Sequence, residues 1–110
     1  MSKFSEEYAL KIENLHFQIE KFRFEDTAKE FEMADILFTL ASENNDQENI
    51  SYALLRKSDN FISQENFPLA FTYISDAKQI AEDNNFNNLR IKCYSSLATM
   101  YNSIGDIHKT

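Results

Sequence analysis

The chain has one glycine, one proline and one cysteine among its 110 residues. Architectures built from many tight turns need far more of the first two, so long helices are the natural reading. The single glycine also excludes a glycine-rich phosphate loop, which needs several residues without Cβ beside the phosphates. Cys93 is alone and forms no internal disulfide, so nothing implies an oxidising compartment. Basic residues are scarce as well: eleven Lys and Arg face eighteen Asp and Glu, leaving a net charge of −7. Such a surface repels phosphate backbones and anionic lipid, which argues against nucleic-acid and membrane partners. No stretch approaches the roughly 18 apolar residues of a membrane span. The opening MSKFSEEYAL carries charges where a signal peptide has an apolar run. A soluble cytoplasmic protein is expected.

What is present is helical periodicity. Hydrophobic residues make up 43% of the chain, which excludes disorder and allows one modest core. Phe4, Tyr8, Ile12, Leu15, Ile19 and Phe22 share one helix face. Residues 23–26 interrupt the pattern, with Asp26 or Thr27 as the cap of the next helix. A second stripe, Phe24, Phe31, Ala34, Leu37, Phe38 and Ala41, dissolves into SENNDQEN. A third helix carries Ile50, Leu54, Phe61 and Ile62 and ends near Gln64. The fourth starts beside Asn66, with Pro68 in its first turn, and carries Phe67, Ala70, Ile74, Ala77 and Ala81. The fifth shows Tyr94, Leu97, Ala98, Tyr101 and Ile104, and Gly105-Asp106 is expected to turn the chain into a sixth.

The segments repeat. LASENNDQEN at 40–49 is nearly copied by IAEDNNFNN at 80–88. The stripe Phe24, Thr27, Phe31, Ala34, Leu37 has the spacing of Phe67, Ala70, Ile74, Ala77, Ile80, forty-three residues on, and a further copy starts at Ile107 to Thr110. Ser58 matches Ala98 and Phe61 matches Tyr101. Small residues at fixed places let paired helices approach, and large ones fill the gaps between.

In LRIKCYSSLATMYNSIGDIHKT, through Leu97, Ala98, Tyr101, Gly105 and Asp106, the chain resembles the tetratricopeptide repeat. YALLRKSDNFISQENFPLAFTYISDAKQIAEDN fits the same family through Leu54, Ser58, Phe61, Phe67, Ala70, Ile74 and Ala77. The first copy aligns only with a turn one residue shorter, and Thr27 stands where the family has Ala. The forty-residue spacing is similar to the longer-repeat branch of bacterial regulatory proteins. The resemblance implies an all-α, short right-handed solenoid in one domain, residues 1–110. Its hairpins would span about 4–43 and 49–83, with the first helix of a third at about 88–104. It also implies a chain that continues as the N-terminal regulatory part of a larger signalling protein.

By the same resemblance the first helix of each repeat faces a concave groove that receives a protein or peptide. The exposed groove positions would be Tyr52, Leu55, Asp59 and Ile62, then Lys92, Ser95, Thr99 and Asn102. Tyr52, Leu55 and Ile62 form an apolar strip that either binds a partner or meets the N-terminal helix. The chaperone-type array grips a C-terminal carboxylate with Lys, Asn and Arg in these places. Here only Lys92 is basic, so that activity is not expected. The alternative is a self-association module, a homodimer through Leu97, Ala98, Tyr101 and Ile104.

No catalytic constellation is visible. His16 and His108 lie ninety-two positions apart with no ligand at metal-binding spacing, so neither metal nor cofactor is expected. Cys93 reads as a packing residue. Glu6, Glu7, Glu30, Glu32, Asp76, Glu82 and Asp83 read as solvated helix faces.

Overall fold

The computed structural model of the chain describes residues 4–109, with side chains through Asp106. Five helices run in order: α1 (Glu6–Phe22), α2 (Thr27–Glu43), α3 (Gln47–Ser63), α4 (Phe67–Asp83) and α5 (Asn87–Lys109). No strand occurs among the described residues. The last four helices begin at residues 27, 47, 67 and 87, so the hairpin repeats every forty residues.

The turns explain the doubled Asn-Asn. Asn44 and Asn84 each reach back with Nδ2 to a last-turn carbonyl, Leu40 O and Ile80 O, both at 2.8 Å. Asn45 and Asn85 then take the left-handed conformation, φ 52 and 59, which asparagine tolerates better than most residues. The next N–H closes each turn, Asp46 N to Ala41 O and Phe86 N to Ala81 O, both at 2.9 Å. Glu65 and Asn66 repeat the geometry between α3 and α4. N-caps start the helices: Ser5, Asp26, Asp46 and Asn66 each accept from the N–H three residues on.

The fold is a helical-repeat solenoid in which every helix packs on its predecessor. Side chains of α1 and α5 also reach α3, making one layer of α1, α3 and α5, with α2 and α4 behind. Helix α3 lies at the centre, and residues 51–58 are buried without a break. Alanines mark the closest approaches: Ala34, Ala41, Ala53, Ala70, Ala77 and Ala81 are fully buried. Ser51 Oγ donates to Ala77 O at 2.8 Å where α3 meets α4. Ile19, Leu37, Leu55 and Ile74 fill the space between.

Several expectations change. The buried positions of α2 are Glu30, Ala34, Leu37 and Ala41, and those of α4 are Ala70, Ile74, Ala77 and Ala81. The register offset is therefore forty residues, and the forty-three-residue alignment is displaced by about one helical turn. Phe24 belongs to no helix stripe: it sits in the α1–α2 turn with φ 72 and is 89% exposed. That turn has four residues, 23–26, where the others have three. Gly105 does not turn the chain either, since α5 runs through it to Lys109. A lone glycine costs a helix only about 1 kcal/mol. Continuing α5 adds a hydrogen bond per residue, whereas a new helix must first form an unfavourable nucleus. The side chains of the further copy at 107–110 lie outside the described residues.

Candidate functional site

Three adjoining hollows open along the layer of α1, α3 and α5. One, of about 430 Å³, is lined by His16 and Glu20 of α1, Tyr52 of α3, and Leu89 and Lys92 of α5, among others. The next, of about 210 Å³, has Arg23, Phe24, Arg56, Asp59, Ile62, Lys92, Ser95 and Thr99 among its walls. A third, of about 190 Å³, shares Arg23, Phe24, Asp59, Ile62 and Thr99 with the second and adds Thr27, Glu30 and Ser63. Together they form one groove.

Five of the eight groove positions expected from the sequence, Asp59, Ile62, Lys92, Ser95 and Thr99, meet in the second hollow. Leu55 does not: it is fully buried against Ile74, Ala77 and Cys93. Tyr52 lines the groove but is only 5% exposed, because α1 covers it. His16 stacks on its ring at 4.3 Å, and its hydroxyl donates to Glu20 Oε1 at 2.6 Å. Of the two readings of the apolar strip, the part at Tyr52 meets the N-terminal helix. Asn102 is exposed further along α5, outside these hollows.

Burial, then the Glu20 hydrogen bond and charge, push the Tyr52 hydroxyl above its ordinary range. Burial also works against the Glu20 carboxylate. The bond from Tyr52 and the charges of Arg23 and Arg56 outweigh it and hold Glu20 below its ordinary value.

The floor of the groove is a charged cluster that the sequence did not reveal. Glu30 is 1% exposed and occupies the slot that Ala70 fills one repeat later, so it is no solvated carboxylate. Arg23 Nε stands 3.7 Å from Glu30 Oε2 and 3.6 Å from Asp59 Oδ2, and Arg56 Nη1 is 3.3 Å from Asp59 Oδ2. Neither carboxylate oxygen accepts a hydrogen bond from any of these donors. Glu30 and Asp59 are also side-chain hydrogen-bond neighbours across the α2–α3 contact. Burial first, then that bond and the Asp59 charge, push Glu30 up to about 9, against the pull of Arg56 and Arg23. One sequence signal for Arg56 existed: it lies four residues after Tyr52 and three before Asp59, on the face those two share.

Elsewhere the chemistry is sparse. The hollow of about 530 Å³ between α1 and α2 is rimmed by Lys11, Asp35 and Glu43, all exposed, and Asp35 already pairs with Lys57 at 2.8 Å. Lys57 is enclosed by the rings of Phe31, Phe38 and Tyr73, 5.0–5.4 Å away, which makes it part of the core. Burial pushes the Cys93 thiol up to about 11, as suits a packing residue. No group of three metal-ligating side chains occurs among the described residues. No helix among them is long and apolar enough to cross a membrane.

The outward face of α5 is open. Ala98 is exposed, and Tyr94 and Tyr101 are 52% and 56% exposed. Leu97, expected on this face, turns inward onto the core, and Ile104 is half-buried. The inward face of α5 is instead Leu89, Cys93, Ser96 and Met100. No family model, no curated protein and no solved structure matches this chain.

Proposed function

We propose that the chain is a tetratricopeptide-like interaction module that binds a protein or peptide segment in its concave groove and catalyses nothing itself. The observation that carries this reading is the meeting of Asp59, Ile62, Lys92, Ser95 and Thr99 in one open hollow between α3 and α5. The forty-residue hairpin period supports the family assignment. In this reading the module is the N-terminal part of a cytoplasmic bacterial signalling protein of the longer-repeat type. Peptides selected on the chain from a display library test it. Thr99→Arg, inside the groove, should abolish their binding, and Gln79→Arg, exposed on α4, should not. Loss with Gln79→Arg alone would refute the reading.

Self-association is a second reading, favoured by the exposed Tyr94, Ala98 and Tyr101 on α5. These side chains carry no formal charge, so two copies related by a two-fold axis do not repel there. Sedimentation across a concentration series should then show a dimer that Tyr101→Glu weakens. A monomer at every concentration would rule it out.

A further inference from the structure

We infer that the open face of α5 is a docking site for an amphipathic helix of another protein, one that carries small and aliphatic residues in the order found on α4. This partner is distinct from the occupant of the groove and from a second copy of the chain.

The repeat itself says what belongs on the face. Helix α5 leaves α4 as α3 leaves α2, because the two turns close with the same bonds, Asp46 N to Ala41 O and Phe86 N to Ala81 O. The inward faces also correspond at forty residues: Ala53 and Cys93 are both fully buried, and Asn60 and Met100 are both buried. On α3 the opposite face is closed by α4. Ser51 and Ser58 are fully buried there, Ser51 Oγ donates to Ala77 O at 2.8 Å, and the Phe61 ring stacks on Tyr73 at 5.2 Å. Forty residues on stand Ile91, Ala98 and Tyr101, and all three are exposed, Ile91 by 64%. With Tyr94 they make an uncharged face that continues the α3–α4 interface by one repeat, without its cover.

Two further observations decide where the cover comes from. After α3 the chain turns at residues 64–66, with Glu65 at φ 60, and α4 returns across the face. Through the matching residues 104–106, α5 runs straight on to Lys109, so no such turn brings the chain back over it there. A second copy holds two helices of the required kind, α2 and α4, but their stripes, centred on Leu37 and Ile74, are fully buried. What fits is a separate helix with α4's pattern of Ala70, Ile74 and Ala77, small, aliphatic and small at i, i+4 and i+7. The small residues let the two axes come close, and the larger side chains of α5 fill the spaces between.

The test uses the α4 sequence as a free peptide, residues 66–83, blocked at both ends and labelled with fluorescein. Titration with the full chain, followed by fluorescence polarisation, should give saturable binding, and the same peptide with Ile74→Asp should not bind. Ala98→Glu and Tyr101→Glu in the chain should each weaken binding about tenfold or more. Both side chains are exposed, so the melting temperature of the free chain should stay the same. The inference is overturned if the peptide does not bind, or if it binds Tyr101→Glu as well as the parent. Binding lost with Thr99→Arg but kept with Tyr101→Glu overturns it too, since the peptide would then lie in the groove. A dimer formed through Tyr101 that excludes the peptide overturns it in favour of self-association. The groove reading stands or falls separately, by Thr99→Arg against display-selected peptides.

Discussion

Replacing Glu30 by glutamine isolates the proton buried under the groove. In the folded chain Glu30 faces Asp59 and Arg56 of α3 and Arg23 of the α1–α2 turn, and its pKa is raised from 4.5 to about 9. In the unfolded chain it ionises near its ordinary value. Its contribution to stability is therefore complete below about pH 4.5 and is lost as pH rises toward about 9. Between those limits the native state holds one proton more than the unfolded state. The slope is then about 1 kcal/mol per pH unit, so roughly 2–3 kcal/mol disappears from about pH 6 to about pH 8. Glutamine keeps a donor for Asp59 and an oxygen toward Arg23 but releases no proton. Urea unfolding monitored by far-UV circular dichroism at several pH values, on both chains, gives the difference in slope. The parent should match Glu30→Gln at the acid end and lose stability relative to it as pH rises. Parallel curves would refute the buried proton. A large loss in Glu30→Gln at every pH would show instead that Glu30 is an anion paired with Arg23.

Phe24→Gly should stabilise the chain slightly. Relief of roughly 1–2 kcal/mol of left-handed strain exceeds the added unfolded-state entropy of glycine, about 0.5–1 kcal/mol, and a lower melting temperature would contradict the turn geometry. Ala77→Leu should cost about 1–3 kcal/mol by overpacking the contact with α3, where Ala77 is fully buried. The exposed Asp76→Leu should be nearly neutral, and equal melting of the two would disprove the α4 register. Cys93 should resist an aromatic disulfide reagent in the native chain and react after urea is added, because its thiol is buried and its pKa raised to about 11; fast native reaction would show an open α3–α5 contact.

The sequence by itself determined the five helices and most of their ends, though not that of α5, which runs on through Gly105. A helix is specified by neighbours within four residues, so the stripe Tyr8, Ile12, Leu15, Ile19, the capping of Asp26 and Asn66 and the paired asparagines of two turns could all be read locally. Even the forty-residue period shows in the doubled LASENN and IAEDNN. What only the tertiary structure decided is which side of each helix faces inward and what each charge meets there. Leu55 is core because α4 and α5 close over it, and Leu97 turns inward to the same cluster. Glu30 falls on the buried stripe of α2, but only the fold sets it against Asp59 and Arg56, some thirty residues away in the chain. Arg23 and Lys92, sixty-nine residues apart, share one wall. Burial and electrostatics are properties of neighbours in space, and the packing of three helices chooses those neighbours, whereas hydrogen-bonded periodicity belongs to the chain alone.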